Sequence, residues 1–288
     1  LINSITSQTR PVKRSCGGSA CNTVVAASKF GSKTFYSAKV AADKDGSFFV
    51  KDLKSAGVNF HNVKAEKGIT GKCLVMVTPD AERTMNTCLG ASLELTSQEV
   101  DEKSLANSEW LYMEGYLVSD QNRTNVAIEA MNFAKQNNVK TSMSLSDPLI
   151  VKLFSENLKS VIGDGIDLLF CNSDEARRFT DTHTIEAAAE SLKQYAKTFV
   201  ITRGPGGSLI YDGHDLSYNK GVATNAIDTN GAGDMFAGAF LYALSSGREY
   251  GWAAQFANAA SAIVVSQFGP RIKNIEYISL KSRFGFQI

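Results

Sequence analysis

One segment of the chain, Asp228-Thr-Asn-Gly-Ala-Gly-Asp234, joins acidic side chains and glycines directly before an apolar run. The run predicts a buried helix whose N-terminus would hold the free backbone N–H groups of Gly231, Ala232 and Gly233. Such an end carries unpaired donors and roughly half a positive charge, which attract a phosphoryl group. Glycines let the backbone approach that group closely. Asp234 would lie beside it and could accept a proton from an attacking hydroxyl, so the segment indicates phosphoryl transfer to an alcohol.

Two better-known glycine motifs do not fit this segment. The dinucleotide fingerprint needs a small residue three positions after its second glycine, but Phe236 stands three positions after Gly233 and no strand-plus-acid unit follows. The P-loop pattern of a glycine, four residues and Gly-Lys-Ser/Thr does not occur in the sequence. A glycine-rich turn without chemistry is the structural alternative, and any phosphate cradle here would be of another kind.

Two further segments place polar side chains at predicted helix starts. Gly17 and Gly18 open the first helix, and Asn22 offers a donor and an acceptor that suit neighbouring sugar hydroxyls. An asparagine that satisfies nearby backbone groups is the alternative there. Asn172 and Glu175 follow a buried strand, lie on one helix face and offer oxygens to hydrated Mg²⁺. A helix cap is the alternative for that pair.

Single polar residues near predicted strand ends are further candidates. Thr202 and Gly204 follow a strand in a glycine-rich segment, which could lie along the phosphates or ribose of a nucleotide or form a plain turn. Glu114 is a charge in an otherwise apolar strand, and such a group needs a partner or a function. A substrate hydroxyl would serve. Asp147 is comparable, although a helix cap is the leading interpretation there.

Composition excludes several classes of protein. At 288 residues and 43% hydrophobic content, the chain can bury one large α/β domain, alone or with a small appendage. A formal net charge of +1 with 20% charged residues provides neither a field for nucleic acid nor a polybasic membrane patch. No apolar run approaches the roughly 20 residues that span a bilayer. We therefore expect no nucleic-acid or membrane partner.

The cysteines, the histidines and the first residues of the chain lead to expectations about redox state, metal binding and a missing upstream segment. The five cysteines are an odd number without a C-x-x-C pair, which predicts reduced, mostly buried thiols in a cytoplasmic protein. The three histidines are scattered and suggest no metal-ligand cluster. The chain opens at Leu1 without methionine, and residues 1–15 contain no strand-like run, so we expect that an upstream segment with the first core strand is missing.

Helical and strand patterns alternate after this opening. Predicted helices cover 18–30, 44–56, 121–137, 149–161, 185–196, 232–245 and 250–265. Predicted strands cover 33–40, 73–78, 83–89, 110–117, 140–145, 167–171, 198–202 and 207–211. Residues 79–82 between two of these strands read as a hairpin turn, which we assign to a small β-sheet lid. The alternation predicts an α/β fold, a mostly parallel sheet sandwiched by helices, with ligands beyond the carboxyl ends of the strands.

In this order, Gly17-Gly18-Ser-Ala-Cys-Asn22, Asn172-x-x-Glu175 and Asp228-Thr-Asn-Gly-Ala-Gly-Asp234 resemble the signatures of the ribokinase-like (PfkB) carbohydrate and nucleoside kinases. The resemblance covers essentially the whole chain. It implies a core over residues 16–288 and a β lid from about 10–16 and 70–92 that closes over the substrate. It also implies that the γ-phosphate of ATP is transferred to a primary hydroxyl of a sugar or nucleoside in the presence of Mg²⁺.

The resemblance also implies catalytic roles. Asp234 would be the general base, and the anion hole for the transferred phosphoryl would consist of the amides of Gly231, Ala232 and Gly233. Asp228 matches a segment that in some members contributes to a site for a monovalent cation such as K⁺.

Binding roles follow from the resemblance in the same way. Asn172 and Glu175 would organise Mg²⁺ through water. Contacts to substrate would come from Gly17, Gly18, Asn22 and Glu114. The ATP site would include Asn172, Thr202, Gly204 and Asn258. Family members usually carry an aspartate near the end of the first core strand, and this chain begins after that point, so we expect the substrate contacts named here to lack that residue.

Segments 77–92 and 267–271 resemble bacterial members labelled adenosine kinases, and we therefore predict adenosine as the substrate. Arg83 on the hairpin could reach the phosphate or remain a solvated charge. Met76 and Met85 would suit a purine face, with core packing as the alternative. A sugar such as fructose, ribose or 2-keto-3-deoxygluconate is the second candidate, and a non-catalytic nucleoside- or sugar-binding regulator is the third. Lid sheets of this kind often pair edge to edge in the family, so the resemblance implies a homodimer through the lid.

Overall fold

The computed structural model describes residues 13–61, 64–65, 67–78 and 83–287, together with Ile2, Ser4 and Ile5. The chain divides into two compact units. The first unit contains Leu1–Glu94, Ala223–Ala239 and Ala259–Ile288, and the second contains Leu95–Val222 and Phe240–Asn258. The predicted division into a core and an inserted lid stays a prediction, and residues 10–12 of that lid lie outside the described residues.

Helices and strands alternate along most of the chain. The helices are α1 Ser19–Phe30, α2 Lys44–Ser55, α3 Glu102–Ala106, α4 Gln121–Gln136, α5 Pro148–Ile162, α6 Ser173–Thr180, α7 Ile185–Leu192, α8 Ala232–Ser245, α9 Tyr250–Val265 and α10 Asn274–Arg283. The strands are β1 Phe35–Tyr36, β2 Val40–Ala41, β3 Asn59–Phe60, β4 Lys64–Ala65, β5 Lys72–Val77, β6 Arg83–Cys88, β7 Trp110–Glu114, β8 Lys140–Ser144, β9 Ile166–Asn172, β10 Ala196–Thr202, β11 Ser208–Tyr211 and β12 Leu216–Asn219.

The first unit begins with α1 and α2. Asp43 caps α2 by accepting a hydrogen bond from a backbone N–H of its first turn at 2.7 Å, and Gly31 ends α1 with a φ of 126°. The two helices bury a small apolar cluster that includes Cys21, Val25 and Leu53. In the described part of this unit the strands form three two-stranded sheets, of which β1–β3 and β2–β4 are parallel and β5–β6 is antiparallel.

The antiparallel pair β5–β6 is the predicted hairpin, and its register places Val77 opposite Arg83. The strands differ from the predicted ranges by a single residue at their ends. Residues 79–82, where the turn was expected, lie outside the described residues, and so does the side chain of Arg83. The expected contact of Arg83 with a phosphate therefore stays a prediction.

The second unit is built on a six-stranded sheet in the order β12–β11–β10–β9–β8–β7, in which β7 to β10 are parallel. Leu169 and Cys171 of β9 belong to an apolar core that includes side chains from α4 to α7. Phe170, between them, meets Phe240 of α8 edge to face, with 5.7 Å between the ring centroids. Because successive strand residues point to opposite faces, helices cover both faces of the sheet. The predicted α/β sandwich is confirmed.

Two predicted strands have different bounds in the structure. The segment 33–40 was expected to be one strand, but β1 and β2 are separate and pair with different partners. The strand expected over 110–117 ends earlier, and a short 3₁₀ helix, Gly115–Ser119, follows it. A Cβ on Gly115 would lie 2.7 Å from the carbonyl oxygen of Leu145, so this close approach requires glycine where the chain turns.

One predicted helix is too long, and several elements were not predicted. The helix expected over 185–196 ends at Leu192, since Ala196 already pairs with Ile166 in the sheet. The short helix α3, the edge strand β12 and the last helix α10 carry weak periodic patterns and were missed. Among the described residues, no helix has the length and apolarity needed to cross a membrane.

Candidate active site

The first unit brings the predicted base and a predicted substrate residue together. Asp234 lies in the first turn of α8, and two side chains of α1 hold its carboxylate. The Ser19 hydroxyl donates to Oδ1 at 2.7 Å, and the Asn22 amide Nδ2 donates to Oδ2 at 2.8 Å. Hydrogen bonds to a carboxylate are strong and directional, so both oxygens of Asp234 have a fixed orientation.

The close packing of α1 against α8 makes these hydrogen bonds attainable. A Cβ on Gly238 would lie 2.5 Å from the carbonyl oxygen of Thr23 and 2.7 Å from the Cβ of Ala26. Only glycine permits this separation of the two helices. Gly238 stands one helical turn after Asp234, so it sets the distance across which the α1 side chains reach the carboxylate.

The predicted anion hole lies at the N-terminus of α8. Within the described part of the chain, the N–H groups of Gly231 and Gly233 have no backbone acceptor, whereas that of Ala232 donates to the carbonyl of Thr229 at 3.3 Å. Gly231 has a φ of 77°, and a Cβ there would lie 2.4 Å from the Cβ of Pro270. Gly233 has nothing within 4 Å of an added Cβ. The exposed backbone at Gly233 leaves room for an anion.

Asp228 fixes the loop that leads into α8. Its buried carboxylate accepts hydrogen bonds from the N–H of Asn230 and the N–H of Gly269, both at 2.8 Å. Its own N–H donates to the carbonyl of Val265 at 3.2 Å. One side chain thus joins the loop before α8 to the turn after α9.

A protein cation lies at the same turn. The ammonium of Lys13 donates to the carbonyl of Phe268 at 3.1 Å. Burial and the charge of Arg271 lower the pKa of Lys13, while the negative charge of Asp228 acts in the opposite direction. The expected contribution of Asp228 to a monovalent-cation site stays a prediction.

Ser19 is a candidate site residue that sequence reasoning missed. Gly18, with a φ of 105°, is the residue before α1, and Ser19 is its first residue. Ser19 and Asn22 are three apart on a helix and therefore lie on one face. That spacing was a usable signal, because Asn22 was already assigned to the site. Gly17 has nothing within 4 Å of an added Cβ and stays a predicted substrate contact.

In the second unit, Asn172 and Glu175 form a reciprocal helix cap. The Asn172 Oδ1 accepts from the N–H groups of Asp174 and Glu175, each at 2.9 Å. The Glu175 carboxylate accepts from the Asn172 N–H at 2.9 Å and from its Nδ2 at 2.6 Å. This is the capping box that was the alternative for this pair. Both carboxylate oxygens have a donor, so a role toward Mg²⁺ would act through water.

Glu175 titrates far from its ordinary range. Its side chain is 4% exposed, and burial raises its pKa from 4.5 to about 7, with smaller contributions from the negative charges of Asp147 and Asp174. Hydrogen bonding from the Asn172 backbone opposes this shift. Near neutral pH the buried group therefore changes its charge.

This pKa predicts a pH-dependent stability. Between about pH 4.5 and pH 7 the folded protein keeps a proton on Glu175 that the unfolded chain has lost. The free energy of unfolding should therefore fall as pH rises through this window, by about 3 kcal/mol in total, and level off above it. Urea unfolding at intervals from pH 4.5 to pH 8 measures the effect. Glu175→Gln should flatten the profile. Asp174→Asn removes only a minor contribution to the shift and should leave most of the slope in place. Equal slopes in the unmodified and Glu175→Gln proteins would contradict the assignment.

Glu114, Thr202 and Gly204 lie at the carboxyl ends of their strands or just beyond. Glu114 is the half-buried last residue of β7, and Thr202 ends β10 with its hydroxyl donating to the carbonyl of Cys171 at 3.3 Å. Gly204 follows with a φ of 53° and has open space around an added Cβ. Thr202 is level with Asn172 in the neighbouring strand. The parallel strands β7, β9 and β10 thus bring predicted ligand residues to one edge of the sheet.

Asn258 is a buried residue of α9 that forms hydrogen bonds to the edge strands of the six-stranded sheet. Its Nδ2 donates to the Ser208 hydroxyl at 3.1 Å and to the carbonyl of Lys220 at 3.4 Å. The amide therefore joins α9 to β11 and to the residue after β12. Its expected role in the ATP site stays a prediction.

Comparisons with known proteins agree with this geometry. The model of the pfkB family carbohydrate kinases matches residues 3–276. Adenosine kinase from Sinorhizobium meliloti is 30% identical, with a TM-score of 0.91 over 98% of this chain and 87% of that chain. A probable sugar kinase from Rhizobium etli is 29% identical, with a TM-score of 0.92 over the same shares. The 5-dehydro-2-deoxygluconokinase of Halalkalibacterium halodurans is 29% identical over 93% of this chain and 86% of its own length.

The family match covers more than half of the chain, and the relatives align with almost all of it. The resemblance predicted from the three motifs is thereby confirmed. The chain belongs to the PfkB family of carbohydrate kinases, phosphotransferases whose acceptor is an alcohol group.

Proposed function

We propose that this kinase transfers the γ-phosphate of ATP to the primary hydroxyl of adenosine, with Asp234 as the general base. The observation that carries the proposal is the fixed carboxylate of Asp234 at the N-terminus of α8. Ser19 and Asn22 orient it, and the amides of Gly231 and Gly233 have no backbone acceptor in the described residues. A base and an anion site thus stand side by side, as transfer to an alcohol requires.

The proposed step is an in-line displacement. The acceptor oxygen forms a bond to the γ-phosphorus, while the bond between that phosphorus and the bridging oxygen breaks and ADP leaves. The hydroxyl proton passes to Asp234 as the new bond forms. The free amides donate to the phosphoryl oxygens where negative charge is redistributed. Such transfer needs positioning and electrostatic stabilisation more than covalent chemistry, which the rigid helix end supplies.

Mg²⁺ would neutralise charge on the ATP phosphates. Among the described residues there is no group of three or more His, Cys, Asp or Glu side chains that could hold a metal ion. An Mg²⁺ ion that arrives with the nucleotide would keep most of its waters. Asn172 and Glu175 would then accept hydrogen bonds from those waters, and Thr202, Gly204 and Asn258 would form the neighbouring nucleotide contacts.

The choice of adenosine rests on the likeness to the Sinorhizobium meliloti enzyme and on the hairpin. Met76 and Met85 are 40% and 45% exposed, so they are not the core residues that the alternative required. The register puts Met85 level with Val75, so Met76 and Met85 point to opposite faces of the hairpin, and only one of the two thioethers could pack against a purine. Asn22 would contact ribose hydroxyls, since its Oδ1 is buried and lacks a hydrogen-bond donor among the described residues.

A sugar-acid acceptor is the second candidate. It is favoured by the sequence relatives named 5-dehydro-2-deoxygluconokinase, one of which is 29% identical over 93% of this chain. The base and the anion hole would act in the same way on such an acceptor. Only the contacts around the acceptor would differ.

The deciding experiment is an acceptor panel with the full-length protein. Phosphorylation would be followed with ATP and Mg²⁺, with or without K⁺, on adenosine, other nucleosides, ribose, fructose, 2-keto-3-deoxygluconate and 5-dehydro-2-deoxygluconate. Preferential turnover of adenosine supports the proposal, and preferential turnover of a sugar or sugar acid replaces the acceptor but keeps Asp234. Binding without turnover would favour a regulator. An Asp234→Asn preparation shows whether the activity belongs to this protein.

The hairpin also supports a homodimer. Within the described residues β5 pairs only with β6, so both strands keep an outer edge that could add a strand from a second copy. Light scattering of the full-length protein measures the mass in solution. A dimer that persists when a proline replaces an edge residue of the hairpin would argue for another interface.

A further inference from the structure

We propose that Cys16 and Cys21 are a redox-modification site whose disulfide lowers the kinase activity. The Cys21 thiol donates to the sulfur of Cys16, and the two sulfurs are 3.6 Å apart. The residues are 2% and 0% exposed, and both are free thiols in this structure. A disulfide needs a sulfur separation of about 2.05 Å, so its formation requires an approach of roughly 1.5 Å.

Cys16 has the surroundings of a nucleophilic sulfur. The Nη2 of Arg271 donates to the Cys16 sulfur and to the Cys16 carbonyl, both at 2.7 Å. Asp52 holds the guanidinium in place at 2.8 Å from Nη1 and also accepts from the Cys16 N–H at 2.8 Å. The hydrogen bond from Cys21 and the charge of Arg271 lower the pKa of the Cys16 thiol against the effect of burial. Cys16 therefore reacts first.

The oxidant would be a hydroperoxide, which is small enough to reach a buried sulfur. Cys16 lies in the segment 13–18, which precedes α1 and forms neither helix nor strand, and its neighbour Gly17 is exposed. The Cys16 thiolate attacks one peroxide oxygen, forms a sulfenic acid and releases hydroxide or an alkoxide. The Cys21 sulfur then displaces water from the sulfenic acid. Two thiols lose two electrons and two protons in total, and the peroxide is reduced.

The other three cysteines lack this arrangement. Cys171 is buried in the second unit, and burial raises the pKa of its thiol well above the ordinary value. Cys73 is level with Thr87 in the hairpin, and Cys88 is level with Lys72. Their side chains therefore point to opposite faces of the hairpin and cannot bridge. Among the five cysteines, Cys16 and Cys21 are the pair with sulfurs in hydrogen-bond contact.

The disulfide would disturb the support of the base. Cys21 directly precedes Asn22, and Ser19 and Asn22 are the two donors that orient Asp234. Drawing the Cys21 sulfur toward Cys16 strains the first turn of α1, and it also removes the thiolate that faces Arg271. Displacements of this size at catalytic groups have large effects on rate. This step rests on the proposed role of Asp234, whereas disulfide formation itself does not.

The experiment uses the full-length protein with Cys73→Ser and Cys88→Ser, which removes the two hairpin thiols. After hydrogen peroxide, peptide mass mapping should find Cys16 and Cys21 joined by an internal disulfide within one tryptic peptide, since no lysine or arginine separates them. The kcat/KM for the best acceptor should fall about 10-fold or more and return with dithiothreitol. Adding Cys21→Ser, which keeps a donor to Cys16 but cannot bridge, should abolish the dithiothreitol-reversible crosslink and the accompanying loss.

Three results would overturn the proposal. They are oxidation of Cys16 without the crosslinked peptide, the crosslink with unchanged activity, and an equal reversible loss in the Cys21→Ser protein. If no acceptor is phosphorylated at all, the proposed function fails. The mass measurement still decides whether the disulfide forms, so the two failures are distinguishable.

Discussion

Replacing Asp234 with asparagine is expected to lower kcat by about 100-fold or more while barely changing the affinity for ATP. Asparagine keeps the size of the side chain, and its oxygen and amide can still bond to Asn22 and Ser19, which hold the carboxylate at 2.8 Å and 2.7 Å. It cannot accept the proton of the acceptor hydroxyl. Steady-state kinetics with the preferred acceptor, together with a direct ATP-binding measurement, test the prediction.

Ser19→Ala is the matched control, because it disturbs the orientation of the Asp234 carboxylate without removing the group that accepts the proton. It removes one donor to Asp234 but leaves the base and Asn22 in place. We expect a loss of about 10-fold, smaller than that of Asp234→Asn, with normal thermal unfolding. Unchanged turnover in Asp234→Asn would remove Asp234 from the role of base. A Ser19→Ala loss as large as that of Asp234→Asn would show that the orientation of the carboxylate dominates.

Gly231→Ala is expected to have the second large effect, and it should act on both stability and rate. Gly231 has a φ of 77°, which costs a residue with a Cβ about 1–2 kcal/mol. The new methyl group would also lie 2.4 Å from the Cβ of Pro270, and such overpacking costs about 1–3 kcal/mol. We expect the free energy of unfolding to fall by about 2–5 kcal/mol. Alanine keeps the backbone N–H, but relief of the clash would move that N–H away from the anion site, so kcat should fall by about 100-fold, as for a lost anion-hole donor.

Gly233→Ala separates these two causes. Gly233 lies outside the left-handed region and has nothing within 4 Å of an added Cβ. Its substitution should leave urea unfolding within about 0.5 kcal/mol of the unmodified protein, as is usual away from packed sites. If the phosphoryl group occupies the open space, the added methyl group will still lower kcat. A Gly231→Ala protein with normal stability and rate would contradict both the clash and the anion hole.

Local sequence patterns were sufficient to predict the helices on which the candidate site residues lie. The apolar run after Asp234 is long and uninterrupted, so α8 was predicted with its observed bounds, Ala232–Ser245. The capping box of Asn172 and Glu175 was also visible in the sequence, but as one of two interpretations. Residue types at this spacing suit both a cap and a cation site. Only the direction of the hydrogen bonds establishes the cap.

Contacts between distant parts of the chain could not be predicted from a single sequence. Arg271 contacts Asp52 and Cys16, which lie 219 and 255 residues away in the sequence. No local sequence pattern indicates that an arginine will donate a hydrogen bond to a distant cysteine. The division of the strand predicted over 33–40 into β1 and β2 was missed for a related reason. Two-residue strands carry no period of their own, and their partners, not their composition, decide where they begin and end.

The carboxyl group of Glu175, which caps α6, can bind or release a proton near neutral pH while the protein stays folded. With a pKa of about 7, the side chain is close to half protonated in neutral solution, so the folded molecules are a mixture of two forms that differ in one charge. A ligand that favours the ionised form shifts this mixture and releases protons into the buffer. The heat of such binding would then depend on the ionisation enthalpy of the buffer.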